Sequence, residues 1–543
     1  MPKVGTRTDR TADAWDETAI SSILLEVVRT AIGAPALCLD DDFWDYGMTS
    51  IGLMEVASRM SSTLQADVPP TVLFEHPTVA AAARAVAGLD LVADPMAAIL
   101  KPIASMPSGA DLPLTFNQVF RIARSARPDG GFARTHRPAC WAAEIIGDVN
   151  GDVFLEALRA VVSLHAALRV HFQVRHDGEV RQIVSPTPDV ALEVWDDVLG
   201  DAWLSLFRDT VQKPFDLGRG PLHRAGLARA HDGRSVCWLI VDHSLVDAVS
   251  LTLIGELLYH ECARGLGLDV PSDPTPPSYE AWVEQVAAGP ATTDVEYWRS
   301  ATAHLDPYRA WDGPLRIPPG DEPLEPTQHR RVILGAVDLG PARERWARSN
   351  PLQPTIDLLS AFTLALHARF QVSPVTLFVP VSNRAAAGHA GVVGSLAGEL
   401  PLILDVRPID TVDTLAPTVE RQLAGVLDHQ ALPIDALQRI LHFQQAEAHD
   451  PSEVNGRDYA RVSLNLLPRA NVPFDDVPGL TMTPLNVDPT DGDLGSVSGM
   501  VCDVVVDDSQ IVWDVHWSPA YVNESTVVDL IDEIVQIMRL QVR

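Results

Sequence analysis

The chain has 543 residues, 46% of them hydrophobic, a length that exceeds one core and implies roughly three or four compact units. Its 41 Lys and Arg against 72 Asp and Glu leave a formal charge of −31, which gives no long-range attraction for phosphate backbones and argues against a nucleic-acid partner. No apolar run approaches the ~20 residues that span a bilayer, and the N-terminal MPKVGTRTDRTADAWDE has no signal-peptide core. The expectation is a cytoplasmic protein without a membrane partner. The cysteines (Cys38, Cys140, Cys237, Cys262 and Cys502) form no CxxC pair and are odd in number, so neither a disulfide framework nor a metal site is expected.

Residues 1–14 are polar and read as a disordered N-terminus. Between Glu17 and Ile32 the apolar positions Ile20, Ile23, Leu24, Val27, Val28 and Ala31 recur at helical spacing. The loop GAPALCLDDDFWDYGMTS follows. SIGLMEVASRMSSTL is again helical, with Ser50 placed as an N-cap, and TVLFEHPTVAAAARAVAGL closes a small helical bundle. Residues 90–111 hold three prolines and read as a linker. Strand and helix patterns then mix: strands in HRPACWAAEIIG, SVCWLIVD, VTLFVPVS and RVSLNLLP, a hairpin in MVCDVVVDDSQIVWDVHWS. Helices are read in DVFLEALRAVVSLHAAL, SLTLIGELLYHECARGL, TIDLLSAFTLALHARF and STVVDLIDEIVQIMRL. The large region is therefore α/β or α+β with two lobes.

Ser50 alone would be an ordinary helix cap. Its surroundings, DDDFWDYGMTSIGLMEVASRM followed by LFEHPTVAAAARAV, resemble the acyl and peptidyl carrier domain signature. That resemblance implies that Ser50 carries 4′-phosphopantetheine, attached by a phosphopantetheinyl transferase. A phosphodiester at a helix N-terminus meets free N–H groups and the positive end of the dipole. Met48-Thr49 departs from the family's usual pair before the serine without removing the attachment atom.

In VDHSLVDAVS, Asp242, His243, Asp247 and Ser250 fall within a few residues of one another. A lone histidine at a strand end is an ordinary structural feature. The stretch SVCWLIVDHSLVDAVS, however, resembles the His-His-x-x-x-Asp-Gly motif of nonribosomal peptide synthetase condensation domains. The order of LPLTFNQVF, SLHAALRVHF, PSYEAWVEQ with VEYWRS, VVGSLAGELPL and DHQALPIDAL resembles the remaining motifs of that family. The resemblance implies a small four-helix carrier bundle followed by a two-lobed α/β condensation domain, a chloramphenicol-acetyltransferase-like pseudo-dimer with its active site between the lobes. The corresponding divisions are a carrier at 15–89, a linker at 90–111, a first lobe at 112–275 and a second at 276–543.

The resemblance assigns His243 as the catalytic group that positions, or takes a proton from, the attacking amine. It assigns Asp247 and Arg169 as a buried pair supporting the active-site turn. Asp242 stands where the motif has its first histidine, and strand alternation predicts that it faces away from His243. Ala248 replaces the motif glycine, Gly398 replaces the asparagine of the family's Val-Asn-Thr stretch, and DGDLGS only faintly matches the late latch motif. Two other readings stay open. Asp242, Asp247 and Ser250 also fit the Asp-x-x-x-x-Asp-x-x-Ser motif of heterocyclisation domains. A degenerate condensation domain could instead recruit tailoring enzymes without forming a bond. Expected partners are other synthetase modules or a stand-alone adenylation enzyme that loads the carrier in trans, and a downstream acceptor carrier.

Overall fold

The computed structural model describes residues 17–32, 36–43, 76–89, 110–122, 138–303, 328–335, 353–432, 461–467, 474–487 and 499–541, with short breaks within these spans and isolated residues between them. Residues 1–14, Ser50 and the DGDLGS segment lie outside the described residues, as does most of the 90–111 linker. The chain divides into two compact units, one dominated by residues 1–101 and the other by the remainder.

In the first unit α1 (Glu17–Ile32) buries Ile20, Leu24 and Val28, one side chain per turn. Arg29 closes the turn beyond it, its Nε donating to the Leu37 carbonyl at 2.9 Å. The described residues Leu53, Val56, Ala57, Met60 and Leu64 are helical and buried at the spacing the sequence predicts. α2 (Val79–Ala87) begins at Thr78, whose Oγ1 accepts from the Ala81 amide at 3.2 Å, and it packs against α1.

The second unit opens with β1 (Asp111–Pro113), α3 (Phe116–Ile122), β2 (Pro138–Ile146) and α4 (Gly151–Leu164). Asn150 caps α4, and Phe154, Ala157, Leu158, Val161 and Val162 form its buried stripe. A 3₁₀ turn, Ala166–Arg169, leads into β3 (Val170–Val174), β4 (Val180–Val184) and β5 (Leu192–Trp195). Next come α5 (Ala202–Val211), β6 (His223–Arg229), β7 (Arg234–Asp242) and α6 (Ala248–Gly265). Then α7 (Tyr279–Ala287), α8 (Thr292–Thr302), β8 (Gln328–Gly335), α9 (Gln353–Phe370), β9 (Val375–Val381) and β10 (Gly398–Leu404) follow. The chain ends with α10 (Val412–Asp428), β11 (Arg461–Leu467), β12 (Thr481–Leu485), β13 (Gly499–Val506), β14 (Gln510–Trp517) and α11 (Glu524–Gln541).

These strands form two large mixed sheets and one small one. The first has the order β12-β2-β7-β6-β5, the second β10-β9-β11-β13-β14-β8, and β1-β4-β3 stand apart. β7 is central in the first sheet and buried over nearly its whole length, which is why it reads as a continuous apolar run. α6 lies so close to β2 that a Cβ on Gly255 would come within 2.7 Å of the Trp141 ring. Among the described residues no helix is long and apolar enough to cross a membrane.

The expected lobe boundary at 275/276 is not a clean cut. β12 pairs with β2 from Thr481↔Ile146 to Leu485↔Ala142, so a late segment completes the first lobe's sheet. Tyr279, Trp282, Val392, Val393, Leu396, Val477 and Leu480 also enter the first lobe's core. The lobes are tied by chain exchange as well as by surface contact.

Candidate active site

The turn between β7 and α6 carries the motif residues. The last β7 residue, Asp242, is 5% exposed, and its Oδ1 accepts from the Ser244 amide at 3.0 Å and the Ser244 hydroxyl at 2.6 Å. That folds the chain into an Asx-type turn and points the Asp242 carboxylate at the backbone. His243 follows, half-buried, with Nδ1 2.9 Å from the Val246 carbonyl. A carbonyl can only accept, so the bond places the proton on Nδ1 and makes Nε2 the lone-pair nitrogen of the neutral ring.

Asp247 is the N-cap of α6 and is 3% exposed. Its Oδ1 accepts from the Ser250 amide at 2.8 Å and Arg384 Nη2 at 2.9 Å. Its Oδ2 accepts from Arg384 Nη1 at 2.9 Å and from the amides of Leu396 and Ala397 at 2.9 and 2.8 Å. Burial pushes the carboxyl pKa up, but the Arg384 charge and these donors outweigh it and hold it below the usual carboxylate value. Arg384, also 3% exposed, further donates to Ser250 Oγ at 2.9 Å and to the Val392 carbonyl at 3.1 Å. Ser250 Oγ donates to the Gly394 carbonyl at 2.7 Å and accepts from the Gly394 amide at 3.0 Å.

The buried partner of Asp247 is therefore Arg384, which corrects the expected pairing with Arg169. Both Asp247 oxygens are already filled by donors from the 384–397 segment and from α6 itself. Arg169 closes the 3₁₀ turn before β3, half-buried beside Glu280, and its Nε has no hydrogen-bond partner. Burial lowers its pKa, with Glu280 opposing. Arg384 follows the apolar β9 directly in VSNR, and an arginine there requires a buried acid. That was the available signal.

The substitutions in the motifs have local explanations. Ala248 begins a regular helix and needs no positive φ, so glycine is dispensable there. At Gly398 a Cβ would sit 3.3 Å from Asn383 Nδ2, which donates to the Leu396 carbonyl at 2.8 Å. Asn383 occupies the space beside Gly398 with a left-handed backbone, φ 53°. Gln430, from the DHQALPIDAL motif, accepts from the Asn383 amide at 2.9 Å. Residues 433–436 of that motif lie outside the described residues. Each of the three residues that fit the heterocyclisation motif has a side-chain oxygen in an internal bond.

A family model described as "Condensation domain" matches residues 138–452, more than half of the chain. The chain belongs to the condensation-domain family. A "Phosphopantetheine attachment site" model matches residues 22–86 ahead of it, so the arrangement is a carrier–condensation didomain. Tyrocidine synthase 3 of Brevibacillus parabrevis is 25% identical over 459 residues, 83% of this chain and 7% of that protein. Phosphinothricin tripeptide synthetase PhsB of Streptomyces viridochromogenes is 25% identical over 432 residues, 77% of this chain and 35% of that protein. The chain thus spans a minor part of the length of these curated relatives. Among solved structures, the SgcC5 protein from Streptomyces globisporus aligns with a TM-score of 0.62 and 20% identity, covering 79% of this chain and 98% of that one. The first condensation domain of the calcium-dependent antibiotic synthetase aligns with a TM-score of 0.61 and 20% identity, covering 80% and 98%. These structural likenesses carry the two-lobed condensation fold.

Proposed function

We propose that the protein forms amide bonds in nonribosomal peptide synthesis, joining a carrier-bound aminoacyl or peptidyl thioester to an amine presented by a partner carrier. The observation that supports this reading most is the His243 tautomer, fixed by Val246 on a turn anchored through Asp247 and Arg384. His243 Nε2 positions the amine and takes its proton as the new C–N bond forms and the C–S bond breaks, and passes that proton to the departing thiolate. A positioned acid–base group of this kind contributes typically ~10²–10⁴-fold.

Ser50 would hold 4′-phosphopantetheine through its hydroxyl. The approach to it is well built: Asp41 accepts from the Cys38 amide at 2.7 Å and the Tyr46 hydroxyl at 3.1 Å, and the Met48 amide donates to the Phe43 carbonyl at 3.3 Å. When attached, the group supplies the thiol that holds the acyl donor. A phosphopantetheinyl transferase, a loading adenylation enzyme acting in trans and a downstream acceptor carrier are the partners this reading requires.

The test is intact mass spectrometry of the full chain and an acceptor carrier, both loaded with defined thioesters. Transfer of the acyl mass to the acceptor is expected, with His243→Ala slower by about 10²–10⁴-fold and folded like the parent. Ser50→Ala is expected to take up no phosphopantetheinyl mass. A product lighter by one water would favour heterocyclisation, and no transfer to any acceptor would favour a recruitment module.

A further inference from the structure

The segment LPLTFNQVF contributes no group to the chemistry above, yet its helix α3 touches both halves of the active-site support. Gln118 is wholly buried. Its Oε1 accepts from the Thr115 amide at 2.9 Å, an arrangement that closes the first turn of α3. Its Nε2 lies 3.1 Å from the Ser244 carbonyl, 2.9 Å from Gln182 Oε1 and 3.2 Å from the Tyr279 hydroxyl. The Tyr279 hydroxyl donates to the same Gln182 oxygen at 2.6 Å, and Gln182 Nε2 donates to the Pro113 carbonyl at 2.6 Å.

Ser244 is thereby gripped from two sides. Asp242 takes its amide and hydroxyl, and Gln118 takes its carbonyl. His243 lies between these anchors. The neighbouring Asn117 Nδ2 donates to the carbonyls of Ser395 and Ala397 at 2.9 and 2.7 Å. The amides of Leu396 and Ala397 in that same segment bind Asp247.

We propose that Asn117 and Gln118 are positioning residues that set His243 against the 394–397 segment, Gln118 through Ser244 and Asn117 through the amides that hold Asp247. Neither touches substrate. A buried, fully connected polar network rigidifies what it holds, and here it holds the turn on which the reacting nitrogen sits.

Gln118→Met keeps length and volume but removes the donor to Ser244 and the acceptor for Thr115. Gln118→Glu keeps the acceptor for Thr115 and, ionised, replaces the donor with an oxygen that faces the Ser244 carbonyl and Gln182 Oε1. Both are expected to lower kcat of acyl transfer by about 10²-fold, the scale of a displacement of ~1 Å at a reacting group, with KM for the acceptor carrier little changed. Asn117→Ala is expected to act in the same direction, and Tyr279→Phe, which leaves the Gln118–Ser244 bond, to lose less. The kinetic arm rests on the amide-forming reading; a second arm does not. Carbethoxylation of the full chain by diethyl pyrocarbonate, followed at the His243 peptide by mass spectrometry, needs no substrate. A changed rate at His243 in folded Gln118→Glu supports the proposal. An unchanged rate, or a rise in KM with kcat intact, overturns it. Absence of transfer by the parent protein with every acceptor would overturn the amide reading instead and leave the labelling result standing.

Discussion

Two buried carboxylates show how differently this chain treats the same chemical group. Asp247, in the turn between β7 and α6, receives both ends of one guanidinium and three backbone amides. Asp357, wholly buried in the first turns of α9, receives Arg345 Nη2 at 3.2 Å, Trp346 Nε1 at 2.9 Å and Gln353 Nε2 at 2.7 Å. Its arginine is shared, because Arg345 also pairs with the exposed Asp413. At Asp247 the donors overcome burial and the pKa falls. At Asp357 burial wins, Asp413 adds to it, and the pKa rises. What separates the two is an undivided cation and backbone amides fixed by the fold, since both lie in the interior.

The largest effect expected from breaking this contrast is at Arg384. Arg384→Ala leaves Asp247 buried and short of its cation, and removing one partner of a buried pair costs roughly 3–5 kcal/mol. Thermal or urea unfolding of the full chain measures the loss, and acyl transfer is expected to fall with it. The corresponding change at Asp357, Arg345→Ala, is expected to cost less, because that guanidinium is already divided. Equal losses at the two sites would remove the distinction.

The contrast also shows what sequence could and could not supply. The elements around the site were legible: β7 as SVCWLIVD and α6 as an apolar-periodic helix are local patterns, with His243 and Asp247 in the turn between them. The partner of Asp247 was not, because Arg384 lies 137 residues away and nothing local in VSNR specifies which acid it meets. β12 was missed for another reason. In TMTPL only Met482 is buried, so a strand that completes a sheet carries no alternating or continuous apolar signal. Nor does the sequence mark that this late segment joins the sheet of β2, since such an exchange leaves no compositional mark.

A third buried group, His223 on β6, extends the series to a side chain with no hydrogen-bond partner among the described residues. It is 3% exposed and neither ring nitrogen is bonded. Burial lowers its pKa to about 4, with Asp189 opposing. The unfolded chain therefore takes up a proton near pH 6.5 that the folded chain refuses until about pH 4. Stability at this site is complete above pH 6.5 and falls as the pH drops through that window, by roughly 3 kcal/mol at one pKa unit per 1.4 kcal/mol. His165 is shifted the same way, to about 4, by burial and by Arg169. His223→Leu is expected to flatten the fall between pH 6.5 and 4 and to raise stability at pH 7, since it removes two unpaired buried nitrogens. Urea unfolding at stepped pH reads both effects. An unchanged slope would place the acid sensitivity at His165 or elsewhere.

The smallest effect is expected at Asp357, and its sign is the sharpest test of the comparison. A carboxyl whose folded pKa is raised binds its proton earlier in the folded than in the unfolded chain, so it adds stability as the pH falls through the folded value. Asp247, with its pKa lowered, does the opposite and withdraws stability once the pH drops below the ordinary carboxylate range. Asp357→Asn removes the first contribution and keeps one oxygen, enough for Gln353 and Arg345, which share Oδ1, or for Trp346, which binds Oδ2, but not for both sides. At pH 7 the change is expected to cost about 1 kcal/mol: the charge no longer needs to be buried, but one donor loses its acceptor. As the pH falls the parent gains on the variant, and the two unfolding curves separate. Asp247→Asn is expected to be destabilised at pH 7 and to converge with the parent under acid. Divergence in one pair and convergence in the other is the signature of donors overcoming burial at one carboxylate and failing to do so at the other. Parallel pH profiles in both would mean that the ionisation of these two groups has no part in stability.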